Sequence, residues 1–399
     1  MGERRTILIV GAGIAGLTAA LALAAKGFPV VVAERADKLS EIGAGIQIAP
    51  NAGRILADLN LDRRLAAAAT EPRSIDVFSG GSGSRLASVP TARFRDAYRC
   101  PYWVIRRSDL QSILATATER AGVQLILGAV LDEIAPETGG LAVRVRTAAG
   151  VDVVHATAII GADGVWSTTR THIAATAYPA ATGRTAWRAI VDGDRARELV
   201  ALDRVGLWLG HDAHLVHYPI ARGSAVNVVA IVEEPWQAES WGSPADGAAL
   251  SARWFGGWAS VAQRLLAAPA AWQKFPILTV DPAGAWVGER MALIGDAAHA
   301  MPPFLAQGAA MAIEDAAVLA DALDENPDVQ LALAAYAGAR RQRVTDVWWA
   351  SRRTGERYHY GGAMALARNA ALRCGGARIV LNRSDWIYRW RPTTRATGP

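Results

Sequence analysis

The feature that most constrains this chain is a glycine-spaced turn near its start. Gly11-Ala12-Gly13-Ile14-Ala15-Gly16 follows an apolar segment, Thr6 to Val10, and opens an Ala/Leu-rich stretch, Ile14 to Lys26, that Gly27 closes. An apolar run this short and continuous reads as a strand buried on both faces of a parallel sheet. The stretch after it is made of strong helix formers and ends at a glycine, as helices commonly do. In such a strand–turn–helix unit the first glycine allows the tight turn, the second lets the backbone approach a pyrophosphate, and the third allows close helix–strand packing. The helix N-terminus adds free N–H groups and a positive dipole. A second apolar run, Val30-Val31-Val32-Ala33, ends in Glu34. A carboxylate at that distance can accept hydrogen bonds from a ribose diol. An α/β fold that binds a dinucleotide is therefore expected, and this motif alone does not separate NAD from FAD.

Composition removes several alternatives. Of 399 residues, 51% are hydrophobic and 20% charged, too apolar for a disordered chain. The length suits two domains or one large α/β unit. The two cysteines, Cys100 and Cys374, are too few for a disulfide framework or a cysteine-rich zinc site, which favours a reducing cytoplasm. The net charge of +5 is carried by scattered pairs such as Arg106-Arg107 and Arg340-Arg341, not by a basic run. That suits attraction of anionic small molecules, and no nucleic-acid motif accompanies it. Glu3-Arg4-Arg5 ahead of an apolar stretch resembles a signal peptide or a membrane helix, but Gly11, Gly13 and Gly16 interrupt that stretch at mechanically meaningful positions. No membrane association is expected.

Further along, a helix is expected around Ala52–Leu59, a hairpin or excursion within 73–100, and a helix over 108–121 capped by Ser108. Strands are expected at 123–127, 141–147 and 156–160. Segments 184–191, 205–209, 214–219 and 225–232 read as an antiparallel sheet inserted in the α/β chain. Residues 246–275 read as helical, 291–294 as a buried strand, 309–323 as a helix, and the chain from Asp328 as mostly helical.

Two more motifs place an aspartate after a strand. Gly161-Ala162-Asp163-Gly164 follows 156–160, where open α/β sheets bind ligands, although an ordinary Asp-Gly turn reads the same way. Gly295-Asp296-Ala297-Ala298-His299 follows 291–294, and Pro302-Pro303-Phe304 then leads to Gln307-Gly308-Ala309 and a helix. That helix N-terminus suits negative charge on the pyrimidine end of a flavin. Together the three motifs resemble those of the single-component FAD-dependent aromatic hydroxylases. Gly43-Ala44-Gly45-Ile46-Gln47-Ile48 with Pro50-Asn51, and Pro303-Phe304-Leu305-Ala306-Gln307-Gly308-Ala309, are similar to the salicylate hydroxylase, 3-hydroxybenzoate 6-hydroxylase and 6-hydroxynicotinate 3-monooxygenase branch. The resemblance spans about residues 5–390.

The resemblance implies a Rossmann-like FAD-binding domain made of 1–72, 101–178 and 279–327, an inserted antiparallel substrate domain made of 73–100 and 179–278, and a C-terminal helical segment, 328–399. It implies non-covalent FAD, held by Gly11, Gly13, Ala15, Gly16, Glu34 and Arg35 at the ADP half. Arg107 would reach the flavin, Val130 the adenine, Asp163 the pyrophosphate, Asp296 the ribityl chain, and Gly308 and Ala309 the isoalloxazine. No second glycine motif follows a strand, so NADH or NADPH would bind transiently. The implied reaction is hydroxylation of a small aromatic or hydroxy-N-heteroaromatic acid by O₂ through a C4a-hydroperoxyflavin, with CO₂ lost where the new hydroxyl replaces a carboxylate. A monomer or homodimer is expected.

For the substrate, His211, His214 and His217 invite a metal reading. A spacing of three on a strand puts His214 and His217 on opposite faces, and no metal-site signature accompanies them. Alternation instead puts His214, Val216 and Tyr218 on one face. The resemblance implies that His214 and Tyr218 serve the substrate, His214 as acceptor of a ring-hydroxyl proton. A structural histidine and a packed tyrosine are the competing readings. Gln47 stands where some relatives carry a second histidine, and Pro303 where 3-hydroxybenzoate 6-hydroxylase-like sequences have glutamine. Trp187, Trp208, Phe304 and Leu305 are candidate cavity walls or simply core. A flavin oxidoreductase acting on a non-aromatic substrate and a flavin-binding protein without turnover are the alternative functions.

Overall fold

The computed structural model describes residues 6–39, 45–236 and 242–392. Ile7–Val10 is the centre of a six-stranded sheet and is buried completely along its length. Its neighbours are Val30–Glu34 on one side and Ala158–Gly161 on the other, both parallel to it. Gln124–Leu127 and Met291–Leu293 extend the parallel sheet outward, and Val287–Gly288 closes one edge antiparallel. The chain leaves the central strand toward one side and returns on the other. That reversal of strand order opens a crevice at the carboxyl ends, where doubly wound sheets bind ligands.

The Ile14–Ala25 helix packs on this sheet with little polar surface, and Gly27 (φ +79°) ends it in the left-handed conformation. Gly308–Glu325 lies against it, joined at the far end by Lys26 to Asp321 (2.8 Å). Gly45–Ile48 and Trp103–Arg106 form a two-stranded ribbon, and Val130–Glu137, Gly140–Thr147 and Gly150–Ala156 an antiparallel three-stranded sheet.

The other large element is an eight-stranded sheet, in the order Ser243–Ala245, Trp272–Thr279, Ala180–Asp192, Ala225–Val232, Ala213–Ile220, Arg204–Leu209, Ser74–Ser79 and Arg85–Pro90. All its pairs are antiparallel except Arg204–Leu209 with Ser74–Ser79. One face is covered by Gly247–Trp254 and Ser260–Ala267, whose Leu250, Leu265 and Leu266 pack on Trp187, Trp208 and Leu215. The other face carries Ala186, Ile231 and Phe304. Val329–Tyr358 and Gly362–Tyr388 then run across both sheets, the second broken at Gly376 (φ +50°).

Two local expectations change, and a third is met. Residues 246–275 are two short helices followed by Trp272–Thr279, a strand pinned by Ala180–Asp192 on one side and Ser243–Ala245 on the other. Pairing on both edges overrides the helical composition. The helix expected from Ser108 starts at Arg107, with Arg106 at its N-cap and no side-chain cap. Ser74–Ser79 and Arg85–Pro90 form the hairpin expected in 73–100, followed by a short helix, Arg93–Tyr98. No helix among the described residues is long and apolar enough to cross a membrane.

Candidate active site

The three glycine motifs, far apart in sequence, meet at the carboxyl ends of three adjacent parallel strands. Gly11 (φ +103°) turns so tightly that an added Cβ would lie 2.6 Å from the Ala162 carbonyl oxygen, which joins the first motif to the second. A Cβ at Gly16 would fall on the Gly11 carbonyl oxygen. At Gly13, the N-cap of Ile14–Ala25, a Cβ would meet nothing within 4 Å, and no side chain caps the helix. Its first-turn N–H groups therefore face open space where an anion can approach. The Glu34 carboxylate stands beside this turn, accepting from Ala12 N–H (2.7 Å) and Ala36 N–H (2.9 Å). Gln111, which the sequence did not flag, donates to the Ala12 carbonyl (2.9 Å) from the Arg107–Arg120 helix. Ala129 N–H donates to the Glu34 carbonyl, bringing the exposed Val130 close to that acid, while Arg35 is exposed beside it. Ala15 and Arg107 are half-buried, Arg107 at the head of its helix.

Asp163 is turned inward on its own loop. It accepts from Ser167 Oγ and from the N–H and hydroxyl groups of Thr168 and Thr169, fixing the 3₁₀ turn that follows. That turn carries Arg170, buried, whose guanidinium donates to the carbonyls of Val165, Asp296 and Ala297 and so ties the second motif to the third. Gly295 (φ +59°) turns the third motif, leaving Asp296 exposed, and a Cβ at Gly308 would be 3.9 Å from Asp296 Oδ1. The acid thus stands at the N-terminus of the 18-residue Gly308–Glu325 helix, where Gly308 and Ala309 are half-buried and no side chain caps the first turn.

A buried ionic network supports this corner. Asp315 accepts from Gly295 N–H (2.9 Å), His299 Nε2 (2.6 Å) and Arg340 Nε (2.8 Å). Burial alone would raise its pKa, but His299 and Arg340 outweigh that and hold it down to about 2. Glu314 accepts from Arg340, Arg343 and Asn51, and Asn51 also donates to Gln307 (3.0 Å). Two open helix N-termini, each with a carboxylate at its side and no Cβ in the way, fit an extended dinucleotide carrying a flavin.

The eight-stranded sheet supplies the other wall. Ala186, Ile231 and His214 lie side by side, as do Arg188, Val229 and Val216, and Ile190, Asn227 and Tyr218. Val216 and Val229 are the half-buried positions of two otherwise buried strands, with the half-buried Arg188 beside them, which marks an opening between His214 and Tyr218. His214 is buried, with its ring 5.5 Å from Phe304 and 5.4 Å from Tyr358, and burial pushes its pKa well below 6.5. Its Nδ1 is 2.8 Å from His359 Nε2. Tyr218 is buried beside Asn227, and desolvation raises its pKa. Gly45 N–H donates to the same Asn227 (3.0 Å), and a Cβ at Gly45 would run into the Tyr218 ring. Gln47 accepts from Tyr102 (2.6 Å) on the ribbon that faces this sheet. Pro303 is exposed at the start of the 3₁₀ turn that aims Phe304 at His214. Gly43 and Ala44 lie outside the described residues.

Other candidates separate. Trp187 and Trp208 belong to the opposite face, Trp208 stacked on Phe78 at 4.5 Å, so they do not wall this opening. His217 shares that face, and His211 is largely exposed beside Asp212. No group of metal-ligating side chains occurs among the described residues. The sequence missed Arg184, Glu233 and His359, because nothing local links residues separated by up to 145 positions to His214.

Comparison with known proteins agrees with this geometry. The family described as FAD binding domain matches residues 4–351. The 3-hydroxybenzoate 6-hydroxylase of Polaromonas naphthalenivorans (strain CJ2) is 33% identical over 387 residues, covering 96% of each chain. The 3-amino-4-hydroxybenzoate 2-monooxygenase PtmB3 of Streptomyces platensis is 36% identical, covering 90% of this chain and 89% of that one. Klebsiella pneumoniae HpxO, in a crystal structure with FAD and uric acid, superposes with a TM-score of 0.85 at 25% identity, covering 98% of each chain. The chain therefore belongs to the FAD binding domain family, among the FAD-dependent aromatic hydroxylases.

Proposed function

We propose that this protein hydroxylates a small hydroxylated aromatic acid, a benzoate or an N-heteroaromatic analogue, at the expense of NADH or NADPH and O₂. The observation that carries the reading is His214: a buried, neutral imidazole on the sheet face that opens toward the third flavin motif. FAD, once reduced and reacted with O₂, supplies the electrophilic oxygen; the protein supplies orientation and proton handling. Gly11, Gly13, Ala15, Gly16, Glu34, Arg35, Arg107 and Val130 would hold the adenosine and pyrophosphate side. Asp163 acts on the pyrophosphate by shaping its own loop. Asp296, Gly308 and Ala309 would hold the ribityl chain and the ring.

On the substrate side, Val216 and Val229 form an apolar floor for a flat ring, with Phe304 beside His214. Arg188, in the same row as both valines, offers a guanidinium to a carboxylate. Among the described residues His214 Nε2 has no hydrogen-bond partner, so its lone pair is available to a ring hydroxyl. Taking that proton makes the ring more electron-rich toward an electrophilic oxygen. Tyr218 bounds the far end, and Gln47 and Pro303 line the ribbon and loop side. The relatives named for hydroxybenzoates support this substrate class. The test is a panel of hydroxybenzoates and hydroxypyridine carboxylates incubated with the purified yellow protein, NADH or NADPH, and O₂. Hydroxylated product from members of this panel supports the reading, and nicotinamide oxidation that yields only peroxide with all of them contradicts it.

A further inference from the structure

We propose that Glu233 and His359 are positioning residues that lock His214 in the tautomer with a protonated Nδ1 and a bare Nε2. This rests on the reading of His214 as the proton acceptor. Four side chains from four elements stand in line. Arg184, on Ala180–Asp192, donates its Nε–H to Glu233 Oε1 (2.6 Å). Glu233, just past Ala225–Val232, faces His359 Nδ1 (2.6 Å). His359, at the C-terminal end of Val329–Tyr358, faces His214 Nδ1 through its Nε2 (2.8 Å).

Donor and acceptor roles follow from one end of this line. An ionised carboxylate only accepts. Arg184 and His359 outweigh burial and keep Glu233 below the usual carboxylate range, so it is ionised at neutral pH. His359 must then donate from Nδ1. Burial keeps His359 below 6.5 in spite of Glu233, so it is neutral and its Nε2 carries a lone pair. That nitrogen accepts, which leaves His214 Nδ1 as the donor. A neutral His214 that donates from Nδ1 has an unprotonated Nε2.

The surroundings fix the ring as well as its tautomer. Phe304 and Tyr358 contact the imidazole, and the Arg184 guanidinium lies 5.1 Å from the centroid of the Phe304 ring. The charged or titratable groups facing the pair are Arg184, Glu233, Asp212 and Tyr358, and burial raises the Tyr358 hydroxyl so that it stays neutral. When substrate gives its hydroxyl proton to His214 Nε2, the new imidazolium donates from Nδ1 to a His359 already polarised by a carboxylate. One proton moves, from substrate oxygen to His214 nitrogen, and the charge it creates is stabilised without another transfer. The His359 end of the line belongs to the C-terminal helices, which lie outside all three flavin motifs.

The experiment is ¹⁵N NMR of the full-length, FAD-loaded protein labelled at its seven histidines, with His214 assigned from its loss in His214→Asn. Expected in the wild type is a pyrrole-like Nδ1 and a pyridine-like Nε2 at His214. His359→Leu and Glu233→Leu should move His214 toward the Nε2–H form. His359→Gln, whose amide can accept from His214 and donate to Glu233, should restore the original pattern. Hydroxylation should fall about 10–100-fold in the leucine variants and recover in His359→Gln, with flavin reduction unchanged, as for loss of an orienting hydrogen-bond partner. Glu233 is partly exposed, so Glu233→Leu stands if His359→Leu does not fold. A wild-type His214 protonated at Nε2, or a tautomer unmoved in the leucine variants, overturns the proposal. A tautomer that moves as described while His214→Asn hydroxylates normally keeps the lock and removes His214 as the base.

Discussion

Gly13→Ala and Gly16→Ala should fail in different ways, although both replace a glycine of one turn by the smallest chiral residue. At Gly13 the backbone (φ −74°, ψ −175°) is extended and open to alanine, and nothing lies within 4 Å of the added Cβ. The lost chain entropy of the unfolded glycine favours the variant by about 0.4–1 kcal/mol, and the poorer N-cap offsets a similar amount. The apoprotein should therefore melt close to the wild type. The methyl projects into the space before the helix N-terminus, where the pyrophosphate would sit. Displacing one charge-assisted phosphate bond costs about 1.5–3 kcal/mol, or about 10- to 150-fold in FAD affinity. At Gly16 the methyl meets the Gly11 carbonyl and, at 3.3 Å, Ala162 Cβ. Neither can move without shifting strand or helix, so the apoprotein itself should lose about 1–3 kcal/mol. Fluorescence titration of apoprotein with FAD reads the first effect, and urea unfolding without FAD reads the second. A Gly13→Ala protein that binds FAD as tightly as the wild type refutes the placement of the phosphates at this helix.

Glu34→Ala removes the carboxylate beside Ala12 N–H that would accept from the ribose; FAD affinity should fall by about 10- to 150-fold, read by the same titration. Arg340→Leu strips a fully buried guanidinium from Asp315 and Glu314. His299 and Arg343 still cover those carboxylates, so urea unfolding should show a loss near the lower end of about 3–5 kcal/mol. His217, buried on the far face, has its pKa lowered to about 4 by desolvation. The unfolded chain binds that proton from about pH 6.5 downward while the folded chain refuses it until about pH 4, so its contribution is complete above 6.5 and declines below. Roughly 3 kcal/mol should disappear across that window, and His217→Gln should flatten the acid limb of stability against pH.

What the sequence revealed follows from how local each cause is. The glycine turns were legible because a positive φ at Gly11 or Gly295 and a missing Cβ at Gly13 are constraints written in one residue. The same holds for strand alternation, which separates His214 from His217. Trp187 could have been assigned by the same phase, since its neighbour Ala186 is the residue aligned with His214 through Ile231. Trp272–Thr279 was illegible because its conformation is decided by two partner strands and not by its own composition. Arg170, Gln111 and the Asp315–Arg340 network act by bridging motifs across long separations. Glu233 and His359 are the extreme case: each is an ordinary residue at the end of an element, and only the packing of the C-terminal helices on the sheet brings them to His214.

The central claim is that His214 takes the substrate proton in a FAD-dependent hydroxylation. Stopped-flow separation of the two half-reactions in His214→Asn tests it directly, with product measured against nicotinamide consumed. The account predicts normal FAD binding and flavin reduction, hydroxylation slowed by about 10²–10⁴-fold at neutral pH, and a deficit that shrinks at high pH as the ring hydroxyl ionises unaided. Hydroxylation at the wild-type rate near neutral pH would contradict it and make His214 a structural histidine.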